Sequence, residues 1–142
     1  MVLGFKTKFF NGEPTNFEQL ILDGIKIHSM REDPNNRWLA GLGIQMATGT
    51  RTKYYNQFNL GKPELQKVVS TQKVFMTYDK QHIEVTINGK YLMPHQVEQL
   101  IKNDGLSRER FIDWFFLRDA KGKLVFRSEW SGKIIHWTDK WY

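Results

Sequence analysis

The chain has 142 residues, with 21 Lys and Arg against 15 Asp and Glu, a net charge of +6 and no cysteine. Its 40% hydrophobic and 25% charged residues fit one soluble domain, 1–142, with a single core, and the missing cysteines exclude disulfides, thiolate nucleophiles and Cys-ligated zinc. No stretch reaches the ~18 apolar residues of a membrane span, and MVLGFKTKFFNGEP is too short and too polar for a secretory signal, so a cytoplasmic protein without a membrane partner is expected.

Val2 to Phe10 reads as a strand. Thr15 opens a helix with Glu18 three residues on, the spacing of a capping box. Phe17, Leu20 and Ile21 share one face of it, and Gly24 suits the left-handed position just past its end. Lys26 to Arg31 is extended, and EDPNNR (32–37) is a turn-rich loop. Gly43 to Thr48 alternates as a strand does. GTRTKYYNQF then sets Arg51 and Lys53 beside two tyrosines. Gln66 to Tyr78 is β-rich, Ile83, Val85 and Ile87 alternate, and Asn88-Gly89 is a hairpin signal. Pro94 starts a helix with Val97, Leu100 and Ile101 on its apolar face, and NDG (103–105) ends it. Ser107 caps a further helix bearing Phe111, Trp114 and Phe115. Lys121-Gly122 is a turn, and Leu124 to Phe126 and Lys133 to Trp137 are closing strands. The order is α+β, without the regular alternation of a doubly wound sheet. Strands at both ends with a meander between them predict a small curled sheet or barrel closed by helices.

Basic charge favours polyanionic partners, and aromatic residues at 14% of the chain offer rings on which bases stack. The stretch GIKIHSMR concentrates the chemistry. Lys26 can act as a base or nucleophile where burial lowers its pKa. Ser29 can donate to a carbonyl or phosphate, and Arg31 can hold an anion. An edge strand with solvated cations reads the same way. In a strict strand positions 26 and 29 face opposite sides, so a shared site requires a bend near Ile27 or His28, or a lysine that reaches round from the strand's start. ATGTRTK is not a P-loop, yet Arg51 and Lys53 can contact phosphate, and an exposed polar hairpin has the same composition. Asp104 is either a turn-former or a site carboxylate. His28, His82, His95 and His136 lack metal-ligand spacing, so neither metal nor cofactor is expected.

The segment LILDGIKIHSMR resembles the signature G-x-K-x-x-E-x-R of the ASCH family, within the PUA-like superfamily, through Gly24, Lys26 and Arg31. Ser29 stands where that signature has glutamate and where many members have threonine. LIKNDGLSRERFIDWF and GKIIHWTD resemble the family's acidic-glycine-apolar segment and its last barrel strand. The resemblance spans the whole chain and is nearest to small members carried by bacteria and bacteriophages. It implies a PUA-like barrel of mostly antiparallel strands, flanked by about three helices, with a cleft for RNA or a nucleotide. It also implies a link to small amidohydrolases that deacetylate acetylcytidine with a lysine, a threonine three residues on and a distant glutamate. Those roles fall on Lys26, Ser29 and Asp104.

Three functions follow as expectations. The first is RNA or nucleotide binding by a basic cleft of Lys26, Arg31, Arg51 and Lys53. The second is hydrolysis of an acylated nucleoside by Lys26, Ser29 and Asp104, where aspartate's shorter reach puts the geometry in question. The third is a host-modulating role with a protein partner in the host cytoplasm.

Overall fold

The computed structural model describes residues 1–142. It is α+β: eight strands, three α-helices and one short 3-10 turn at Pro63–Leu65. Strand β1 (Val2–Phe5) runs parallel to β3 (Gln45–Thr48), which pairs antiparallel with β4 (Asn56–Gln57). The larger sheet is antiparallel throughout. Its order is β2 (His28–Arg31), β8 (Glu129–His136), β5 (Ser70–Asp79), β6 (His82–Ile87) and β7 (Lys90–Tyr91). The strand ladders form these two sheets and do not close into a barrel. The sheets meet at two places. Arg31 Nη2 donates to Gly4 O at 2.5 Å, which ties β2 to β1. Residues 66–69 run from backbone bonds with residues 41–44 into a bond from Val69 N to His136 O.

Helix α1 (Phe17–Leu22) turns Phe17 and Ile21 into the core. The expected capping box at its start does not form. Thr15 Oγ1 donates to Lys6 O at 2.6 Å instead, and Asn16 takes the cap position with a left-handed backbone. Glu18 turns away to accept from Asn56 Nδ2. Thr15 Oγ1 still accepts locally, from Phe17 N at 3.4 Å; the box is lost because Glu18 is drawn to Asn56 and the helix begins at Phe17. Helix α2 (Pro94–Asn103) packs on β6, and α3 (Arg108–Phe116) packs on β8. Ser107 caps α3, accepting from Arg110 N.

Two other expectations shift. β1 ends at Phe5, because residues 7–15 fold back on themselves through the Lys8–Pro14 bridge and a bond from Thr15 N to Thr7 O. Leu124 to Phe126 is not a strand: Leu124 makes one isolated bridge with Arg118, and Leu124 and Phe126 are 67% and 68% exposed. The last strand starts earlier than expected, at Glu129. The Asn88-Gly89 turn joins β6 to β7 as expected, with positive φ at both residues.

Candidate functional site

Two helix ends build the site. Helix α1 closes in a Schellman motif, with Gly24 N bonded to Ile21 O and Ile25 N to Leu20 O, and Gly24 at φ 73°. Helix α2 closes the same way. Gly105 N bonds to Lys102 O and Leu106 N to Ile101 O, with Gly105 at φ 78°. The first motif delivers Lys26 and the second delivers Asp104, and the two ends face each other. Ile27 N donates to Asn103 O at 2.9 Å and Lys26 Nζ to Asp104 O at 2.6 Å. Two carbonyls that a helix end leaves unpaired thus receive donors from the Lys26 segment, and the negative end of α2 favours the ammonium. Gly105 has a second duty, since a Cβ there would lie 3.1 Å from Lys26 Cβ and Cδ.

Lys26 Nζ also lies 3.2 Å from Asp104 Oδ1 and 4.7 Å from the centre of the Phe17 ring. Lys26 and Asp104 are each only 3% exposed. Burial pushes the Lys26 ammonium below its ordinary 10.5, against the opposing pull of Asp104. Lys26 shares the site with Ser29 by reaching it from before the strand's start. Lys26 and Ile27 precede β2, which begins at His28, and Lys26 and Ser29 line the same cleft. Ser29 Oγ accepts from Arg31 Nε at 3.0 Å, which leaves its own proton available to a ligand. Arg31 stacks at 5.4 Å over Phe5, and burial lowers its pKa to about 10, so it stays charged near neutrality.

The cleft has a volume of about 1240 Å³. Eight cations line it (Lys6, Lys8, Lys26, Arg31, Arg37, Arg51, Arg118 and Arg127) against three acids, Glu32, Asp104 and Asp119. Arg127 pairs with Glu32 and Arg118 with Asp113. Arg31, Arg37, Arg51, Lys6 and Lys8 have no carboxylate within ion-pair distance. Phe5, Phe17 and Trp114 form part of the wall; Phe17 stands edge-on to the other two, at 6.4 Å and 5.7 Å between ring centres. The structure therefore brings Lys26, Ser29, Arg31, Arg51 and Asp104 to one cleft. Lys53 lies outside the lining, its ammonium 5.3 Å over the Tyr54 ring.

Sequence reasoning passed over His28, Asn103 and Tyr142. His28 is fully buried under the pair, with Nδ1 3.3 Å from Asp104 Oδ1 and Nε2 2.7 Å from Tyr142 Oη. Asn103 Nδ2 donates to Tyr142 Oη at 2.8 Å. A histidine one residue from Ser29 was a weak signal, because the contacts that define its role come from positions far along the chain. No protein-family model, curated protein or solved structure matches this chain.

Proposed function

We propose that this protein is a cytoplasmic RNA- or nucleotide-binding domain whose ligand occupies the cleft above Lys26. The observation that carries the reading is the wall itself: eight cations against three acids, interleaved with aromatic rings. Cations without carboxylate partners lose little when they exchange counterions for phosphates. Among the lining rings Tyr55 is exposed and Phe10 and Trp114 are half-buried, and these add sequence-tolerant stacking. The resemblance to the ASCH family supports the same reading. Under it the two sheets are an opened PUA-like barrel whose edges are drawn together by the Arg31–Gly4 bond and the bonds between residues 41–44 and 66–69. Fluorescence anisotropy with a single-stranded RNA oligonucleotide over a salt series tests the binding. Affinity falls as salt rises, with a log–log slope of about −0.7 for each phosphate engaged. An affinity indifferent to salt would overturn the reading.

One observation favours a second reading, hydrolysis of an acylated nucleoside such as acetylcytidine. Lys26 and Asp104 are in contact, and Ser29 opens on the same cleft. The neutral fraction of Lys26, raised by burial, would take a proton from water as that water attacks the acyl carbon. Ser29 would donate to the developing oxyanion, and Asp104 would hold the resulting ammonium until the tetrahedral intermediate collapses, the C–N bond breaks and the ammonium returns its proton to the departing amine of cytidine. Release of cytidine from acetylcytidine, measured by chromatography, tests it. Turnover no greater than that of Lys26→Ala would remove this reading and leave binding.

A further inference from the structure

Asp104 Oδ1 has a second neighbour that neither reading uses. His28 Nδ1 lies 3.3 Å away, off the line of a regular hydrogen bond, and has no other partner. The opposite ring nitrogen fixes what Nδ1 must be. Asn103 Nδ2 donates to Tyr142 Oη at 2.8 Å, with Asn103 Oδ1 accepting from Gln99 Nε2 at 2.8 Å. Tyr142 Oη therefore accepts from Asn103, and the only other partner for its own proton is His28 Nε2 at 2.7 Å. That nitrogen must be bare, which leaves the proton on Nδ1, facing the carboxylate. The reverse tautomer would set a lone pair against a carboxylate oxygen in a buried site, an arrangement that costs free energy.

We propose that His28 is a positioning residue. Held as the Nδ1–H tautomer by Tyr142 and Asn103, it aims a donor at Asp104 and keeps that carboxylate oriented toward Lys26. Lys26 and Asp104 are thus the outer half of a four-residue chain that runs Lys26, Asp104, His28, Tyr142. Burial holds His28 below its ordinary 6.5, so the ring is a neutral donor near neutrality and does not compete with Lys26 as a second cation. The groups that face this chain are Arg31 beside Lys26 and His136, whose ring centre is 5.5 Å from that of His28. Lys140 in turn acts on His136. The inference rests on Lys26 and Asp104 being the working pair of the cleft. Its test contains no nucleotide, so its failure and a failure of the binding reading are separate results.

The test uses the full chain with nitrogen-15 histidine and carbon-13 lysine labels. Long-range proton–nitrogen spectra near neutral pH report the tautomer, with the His28 signals assigned by their loss in His28→Asn. A protonated Nδ1 and a bare Nε2 are expected, and the reverse pattern overturns the proposal. The Lys26 Cε signal followed against pH then reports the pair. In His28→Ala the carboxylate loses its inner donor and leans on the ammonium alone, so the Lys26 midpoint rises by roughly one pH unit. In His28→Asn an amide N–H replaces Nδ1–H, and the midpoint returns to the wild-type value. A midpoint unmoved in His28→Ala, or raised equally in His28→Asn, also overturns it. Tyr142→Phe provides an arm that leaves the ring in place. Removing the hydroxyl takes away the bond to the bare Nε2 while Asp104 still favours Nδ1–H, so the Nε2 signal shifts, and a spectrum unchanged from wild type contradicts the assignment.

Discussion

Replacing Asp104 by alanine leaves the Lys26 ammonium with one acceptor, the residue-104 carbonyl at 2.6 Å, where it had two. Both side chains are about 3% exposed, so water does not take over the lost bond. Breaking one side of a buried pair costs about 3–5 kcal/mol. The retained carbonyl and the Phe17 ring 4.7 Å away place this case near the lower bound, about 3 kcal/mol, or roughly 10 °C in Tm for a chain of this size. Burial already holds Lys26 below 10.5, so the unfolded chain binds a proton more tightly than the native one. Stability therefore rises with pH between the folded and unfolded values, and the deficit of Asp104→Ala shrinks as pH climbs to the wild-type folded value, from the still lower value Lys26 has without Asp104. The double variant Lys26→Met with Asp104→Leu separates stability from function, since a buried pair replaced by apolar groups is neutral or stabilising by about 1–4 kcal/mol. It should fold at least as stably as wild type and lose the activity of the cleft. Urea unfolding followed by tryptophan fluorescence measures wild type, Lys26→Met, Asp104→Leu and the double variant as a cycle, with Asp104→Ala beside them. An Asp104→Ala variant within about 0.5 kcal/mol of wild type, or a double variant equal to the sum of the singles, would refute the reasoning.

Three further outcomes are expected. Gly105→Ala and Gly24→Ala both force a side chain into a left-handed backbone, at about 1–2 kcal/mol, but only residue 105 also meets Lys26, at 3.1 Å; thermal melts should therefore show Gly105→Ala as clearly the worse, and equal melts would show that the approach to Lys26 is loose. Burial lowers His136 to about 3, so it stays neutral in the fold while the unfolded chain takes up a proton below about 6.5. Stability then falls as pH falls, by about 2 kcal/mol between about pH 7.5 and pH 5; denaturant midpoints check this, and His136→Gln, which retains a donor for Gln72, should flatten the profile. Arg51→Ala should reduce the salt slope of RNA binding by about 0.7, whereas Lys53→Ala, outside the cleft lining, should leave it unchanged; equal effects would move the ligand away from the cleft.

Sequence alone determined the features that depend on near neighbours. Gly24 and NDG marked the two helix ends, because a left-handed residue after an apolar face is a local requirement. Ser107 and Asn88-Gly89 likewise set a cap and a turn through bonds within a few residues. Lys26, Ser29 and Asp104 could be singled out by residue type and position. What the sequence could not fix was competition at a distance. Thr15 had the makings of a capping box, but its partner Glu18 is drawn to Asn56, 38 positions away. Leu124 to Phe126 has strand composition, yet its backbone pairs with Leu117 and Arg118 just past helix α3, and it joins neither sheet. Only the tertiary structure brought the end of α2 against the segment leading into β2, and that contact makes Asp104 the partner of Lys26 78 positions away. It likewise placed His28 between Asp104 and Tyr142. The physical reason is burial. A lysine, an aspartate and a histidine acquire paired, desolvated chemistry only when distant elements exclude water from all three at once.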